Sequence, residues 1–205
     1  MTVIDVYADI CCPFAHVGLK FVARRRDLLG HHDVVMRVHA WPLELVNGAP
    51  LDAAISAEHV DHLRTQIAPE LFAHFDPDHF PPTSLPAMEV AAAAYHRSDR
   101  IGEAVSLALR EELFEEGRDV SRPDVLARVR NAHGLGDSDA QDEAAVLAEW
   151  HEGTSRGVKG SPHFFCRDID AFCPSLEISR DGSGQVHLRR NTEALDTFLA
   201  HCFQA

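Results

Sequence analysis

The chain has 205 residues, 45% of them hydrophobic and 25% charged, and a formal net charge of -13 at pH 7. That acidity argues against a nucleic-acid partner or an anionic membrane surface, because both need a basic face. No apolar run reaches the roughly 18 residues that span a bilayer, and no basic or apolar leader precedes the first strand signal at Thr2.

Residues 3–8 alternate, with Ile4, Val6 and Ala8 on one face and Val3, Asp5 and Tyr7 on the other, which predicts a first strand. It leads directly into Asp9-Ile10-Cys11-Cys12-Pro13-Phe14-Ala15-His16. Proline is favoured at the first helical position, since its missing N–H would be unpaired there anyway. Pro13 therefore opens a helix over 13–29, and Cys12 is its N-cap. The N-cap faces several unpaired backbone N–H groups and the positive end of the helix dipole. A thiol at that place is expected to ionise more readily than a free one, and the thiolate is the reactive species. Cys12 is thus the candidate nucleophile, whereas Cys11, at the strand end, is read as packing. Arg24, Arg25 and Arg26 form the solvated side of the helix, and His31-His32 a loop without a metal role.

A second strand is predicted over 34–41, ending before Pro42. Strand, helix, strand in about 40 residues is a βαβ unit, which sets its first βα turn at the carboxyl edge of a parallel pair, where ligands bind. Strand signals then vanish. Helices are predicted over 56–75, 85–98, 99–116, 122–134 and 138–155, with Glu111, Glu112, Glu115 and Glu116 as a solvated face. After this block comes Gly157-Val158-Lys159-Gly160-Ser161-Pro162, a tight turn into an aromatic strand at His163; an X-Pro bond in such a turn can be cis. Residues 176–179 and 185–188 flank an Asp181-Gly182 turn and read as a hairpin, and residues 193–203 as a last helix. The layout is α/β, a thioredoxin fold with an all-α insertion between strand 2 and the proline-led strand. Residues 1–55 and 157–205 make the thioredoxin-like domain, and 56–156 the helical insertion.

The five cysteines are read as reduced thiols in a cytoplasmic setting. Cys166 and Cys173 have the one suggestive spacing and are read as two thiols rather than a bridge. No spacing suits a metal.

The Cys-Pro helix start after the first strand, the Gly-Val-x-Gly-Ser-Pro turn and the helical block between them make the chain resemble the DsbA-like branch of the thioredoxin superfamily. It is most similar to the subgroup of FrnE-type oxidoreductases, 2-hydroxychromene-2-carboxylate isomerases and kappa-class glutathione transferases. The resemblance implies that Cys12 is the attacking cysteine of the C-x-x-C motif, here Cys12-Pro13-Phe14-Ala15. It implies that Pro162 is a cis-proline facing the sulfur, and that the backbone of Ser161 is free to pair with an extended thiol substrate. Pro13 and Phe14 complete the substrate-binding set, and Ala15 and His16 flank the sulfur as candidate tuning positions. The departure is Ala15, where dithiol members carry the resolving cysteine.

Three readings follow. The first is a thiol–disulfide oxidoreductase working through Cys12 alone, with no bound cofactor and with glutathione or another low-molecular-weight thiol as co-substrate. The second is a glutathione-dependent isomerase or transferase. The third is a redox-inactive binding module, which an unperturbed or raised Cys12 pKa favours. A small thiol or disulfide is the expected partner, and the sequence is compatible with a homodimer.

Overall fold

The computed structural model describes residues 2–136, 142–180, 182 and 186–203. Strand β1 (Thr2–Ala8) is central, flanked by β2 (Val34–Ala40) on one side and by β3 (His163–Cys166) and β4 (Ile169–Phe172) on the other. β1 and β2 run parallel, with Val6 opposite Val38 and Ala8 opposite Ala40, while β3 is antiparallel to β1 and β4 to β3. The alternation of β1 serves two cores. Ile4, Val6 and Ala8 join the main cluster, whereas Tyr7 packs with Trp41 and Phe165 on the opposite face.

Helix α1 (Pro13–Leu28) and the last helix, α8 (Thr192–Phe203), cover the main-core face, where Phe164 of β3 meets Phe198. Between β2 and β3 lie α2 (Leu43–Asn47), α3 (Ala53–Gln66), α4 (Leu85–Arg97), α5 (Asp99–Phe114), α6 (Pro123–Ala132) and α7 (Glu143–Ser155). These helices seal the outer edge of β2, which would otherwise present a row of unpaired N–H groups. The Met36 N–H donates to Glu103 of α5 at 2.7 Å, that of Val38 to the Tyr95 hydroxyl of α4 at 2.8 Å, and that of Ala40 to Glu149 of α7 at 2.7 Å. Three helices thus complete one strand at every second residue. Gly102 makes room for this, because a Cβ there would fall 2.1 Å from the Tyr95 ring.

The expected helix over 56–75 is shorter than its pattern. It starts earlier, on an Asp52 cap that accepts from Ala54 and Ile55 N–H, and ends at Gln66. Pro69 is the reason, since the residue before a proline is pushed out of helical conformation. α2 was hidden by its length of five residues, and it stops at Gly48 in a left-handed conformation. The start predicted at Ser138 lies outside the described residues; α7 is capped by Asp142, which accepts from Ala145 N–H.

The fourth strand of the sheet is β4, a four-residue edge strand beyond those its sequence pattern predicts. The predicted hairpin exists as β5 (Leu176–Arg180) and β6 (Val186–Arg190), but it forms a separate two-stranded sheet. Its expected Asp181-Gly182 turn falls on residues of which all but Gly182 lie outside those described. β6 is tied to α3 by Leu188 N–H donating to Gln66 and by Arg190 donating to the Ile67 carbonyl, each at 2.8 Å. Cys166 and Cys173 sit at opposite ends of the β3–β4 hairpin, and the Cys166 thiol lies beside that of Cys202 on α8.

α7 lies against the Tyr7 face through Gly153, where a Cβ would sit 2.8 Å from atoms of both Trp41 and Tyr7. Alanine gains about 1 kcal/mol of helix propensity over glycine, but overpacking a core costs about 1–3 kcal/mol. Gly153→Ala is expected to lower stability by up to about 2 kcal/mol, read as a fall in Tm. An unchanged or higher Tm would show α7 free to step back from the sheet.

Candidate active site

The first βα turn carries the site. Cys12 is the N-cap of α1, with extended backbone at φ -84 and ψ 113, and Pro13 follows in the first turn of the helix. The amides of Phe14 and Ala15 face the sulfur without making a full cap hydrogen bond. The thiol instead donates to the Ser161 carbonyl at 3.3 Å. The Ser161–Pro162 peptide bond is cis, so the turn before β3 meets the helix start at the sulfur. α1 approaches that proline closely because position 18 is glycine: a Cβ there would be 3.3 Å from the Pro162 ring.

Asp9 wires these parts together. Its carboxylate accepts the Cys11 N–H at 2.8 Å, the Leu43 N–H at 2.7 Å and the Ser84 hydroxyl at 3.2 Å. Its own N–H donates to the Ser161 hydroxyl at 2.9 Å. Its carbonyl accepts from Arg110 at 3.2 Å and from the Cys12 N–H at 3.4 Å. One residue therefore binds the cysteine turn to the start of α2, to α4 and α5, and to the cis-proline turn. Burial pushes the Asp9 carboxyl up to about 6, against its hydrogen bonds and the Arg110 charge. Arg110, fully buried, is anchored by bonds to the Ser106 carbonyl and hydroxyl at 2.8 and 2.7 Å. Asp9, Ser84 and Arg110 were not foreseen. The one local signal was an acid inside the apolar run Tyr7-Ala8-Asp9-Ile10, a place where a carboxylate needs partners.

The expected thiolate is not the resting state. Cys12 is 4% exposed, and burial pushes its thiol above the usual cysteine value, outweighing the Ser161 bond and the Phe14 and Ala15 amides that pull it down. Sequence reasoning counted the helix end and could not count the covering. Cys11 is 3% exposed, and burial with the nearby Asp9 charge raises it further, in keeping with a packing role.

The remaining positions divide. Pro13 and Ala15 are buried at the helix start, and Ala15 offers only a methyl group where a second thiol would stand. Phe14 is half-buried beside the His59 ring of α3, with centroids 5.1 Å apart. The Ser161 carbonyl, which the resemblance leaves free for a substrate, is taken by the Cys12 thiol. His16 does not reach the sulfur. Its Nε2 lies 2.6 Å from Glu115, and its ring packs between Phe72 and Phe114. Burial lowers its pKa despite the carboxylate. Glu115 is accordingly no solvated residue, since it also accepts the Phe72 and Ala73 N–H groups at 2.9 and 3.3 Å. Trp41, Met88 and Phe114 are buried in the core. Among the described residues, no group of three or more His, Cys, Asp or Glu is placed to hold a metal, and no helix is long and apolar enough to cross a membrane.

Solved structures share this architecture. A 2-hydroxychromene-2-carboxylate isomerase superposes with a TM-score of 0.62 at 15% identity, over 83% of this chain and 88% of that one. The cytosolic disulfide reductase DsbM of Pseudomonas aeruginosa gives 0.57 at 17% identity over 97% of each chain, and its structure with GSH gives 0.56 at 18% identity over 82% of this chain and 88% of that one. At such identities the likeness concerns the fold. None of the curated proteins compared with the sequence matches it. The model of the DSBA-like thioredoxin domain matches residues 3–181, nearly the whole chain, and this protein belongs to the DSBA-like thioredoxin family.

Proposed function

We propose that this protein is a thiol–disulfide oxidoreductase in which Cys12 alone attacks the substrate disulfide, glutathione or another small thiol completing the cycle. The observation that carries this reading is the seat of the Cys12 sulfur, at the start of α1 and on the carbonyl next to cis-Pro162. An incoming disulfide that displaces the thiol from the Ser161 carbonyl gains a backbone acceptor beside the nucleophile. Water entering with it removes the burial that holds the thiol protonated, while the Phe14 and Ala15 amides remain to stabilise the anion. The step is an exchange: the Cys12 thiolate joins one substrate sulfur and the other leaves as a thiol. The GSH-bound DsbM structure is in keeping with a small-thiol partner, and the cytoplasm, where glutathione is reduced, suits the chemistry.

One observation favours the binding-module reading, namely the closed state of the sulfur, 4% exposed with a raised pKa. A single experiment separates the two. The protein is incubated with glutathione disulfide and the product digested for mass spectrometry. A glutathione adduct on Cys12, cleared by reduced glutathione, supports the oxidoreductase. A Cys12 that stays unmodified at every disulfide concentration gives the module its place.

A further inference from the structure

The β3–β4 hairpin continues past its last paired residues. His163 faces Phe172, and one step further the Cys173 N–H donates to the Pro162 carbonyl at 3.0 Å. Cys173 therefore stands directly across the hairpin from the cis-proline, whose preceding carbonyl holds the Cys12 thiol at 3.3 Å. Cys173 has a φ of 47, the left-handed region. Side chains adopt that conformation at a cost and glycine without one, and such strained residues cluster at functional sites. It is 5% exposed, and burial and the neighbouring Cys12 charge together push its thiol up to about 12.

We propose that Cys173 is the resolving cysteine of this site, supplying from the far side of the cis-proline the thiol that Ala15 lacks. The inference rests on the reading of Cys12 as the attacking nucleophile and extends it. After the first exchange Cys12 carries one substrate sulfur in a mixed disulfide. The Cys173 sulfur attacks the Cys12 sulfur, a Cys12–Cys173 bond forms, and the bound sulfur departs with the proton that Cys173 gives up. Two glutathione thiols then reduce the internal disulfide in two exchanges, and leave as glutathione disulfide. The bridge requires the Cys12 turn to let go of the Ser161 carbonyl, the same movement that admits the substrate.

Cys173→Gly tests this, because glycine accepts φ 47 more readily than cysteine, which offsets part of the packing that the buried side chain contributes. Wild type and variant are treated with glutathione disulfide, quenched with acid and mapped by non-reducing mass spectrometry. Intramolecular attack outruns attack by dilute free thiol, so the Cys12–glutathione adduct of the variant is expected to persist at least about tenfold longer. The wild type alone is expected to yield a Cys12–Cys173 peptide. Equal adduct lifetimes with no such peptide overturn the role of Cys173 and leave the nucleophile standing. No adduct on Cys12 in either protein overturns the nucleophile, and this inference with it.

Discussion

Cys12→Ser is expected to abolish thiol–disulfide exchange, at least about 1000-fold below wild type, while Cys11→Ala keeps most of it. A serine oxygen fits the N-cap and can still donate to the Ser161 carbonyl, so the fold survives, but it cannot carry a substrate sulfur. Cys11 is the control of equal composition one residue away. It is buried beside the Asp9 carboxylate, and burial raises its thiol well above the usual value. The pH profile adds an independent check. Because burial also raises the resting Cys12 thiol above the free value of 9.0, its alkylation rate is expected to climb about tenfold per pH unit through neutrality and not level off before pH 9. A plateau near neutral pH would mean that the helix end wins over burial, and that Cys12 rests as the thiolate its position in the sequence suggests. Loss of exchange in Cys11→Ala with activity kept in Cys12→Ser would move the site to the other cysteine.

What could be read locally was read. Pro13 and Cys12 announce a helix start, Ser161-Pro162 a turn, and the alternation of β1 a strand, because each depends on residues within a few positions. The parallel pairing of β1 with β2 followed from the βαβ unit. The partners of Asp9 could not be read, since Ser84 and Arg110 lie 75 and 101 residues further along and nothing in their own neighbourhoods marks them. A comparable separation of 99 residues hid the pairing of His16, a candidate tuning position by its place in the motif, with Glu115, whose neighbours suggest a solvated face. β4 escaped because Ile169–Phe172 is a four-residue edge strand with alternate residues exposed, too short to stand out from a loop. The state of Cys12 was misjudged for a related reason. The helix end is written beside it, whereas its burial is contributed by the whole folded chain.

Replacing His39 is expected to destabilise the protein in a way that fades at alkaline pH. The ring lies between Asp5 of β1, at 3.0 Å, and Glu149 of α7, at 3.2 Å. Burial alone would disfavour the imidazolium, but hydrogen bonds and charge from Glu149 and Asp5 outweigh it and push His39 up to about 9. A folded-state value above the unfolded one of about 6.5 means that folding takes up a proton. The stabilisation is then fully present below pH 6.5 and is lost as pH rises through 9. The gap corresponds to about 3 kcal/mol at most, and the ring is only 10% exposed, so little of it is screened. His39→Gln is expected to lose about 2–3 kcal/mol at pH 6 and under 1 kcal/mol near pH 10, by urea unfolding at both. A loss of equal size at the two pH values would mean that the ring is neutral in the fold and acts through hydrogen bonds alone. The consequence reaches the candidate site, because Asp5 also holds Arg156 at 3.1 Å, the residue before the Gly157–Ser161 turn. Losing the His39 charge loosens α7 and the approach to cis-Pro162 together, so the variant is expected to alkylate at Cys12 faster than wild type at pH 7. Faster reaction at the sulfur from a change on β2 would identify this charge cluster as one of the supports that keep the site closed.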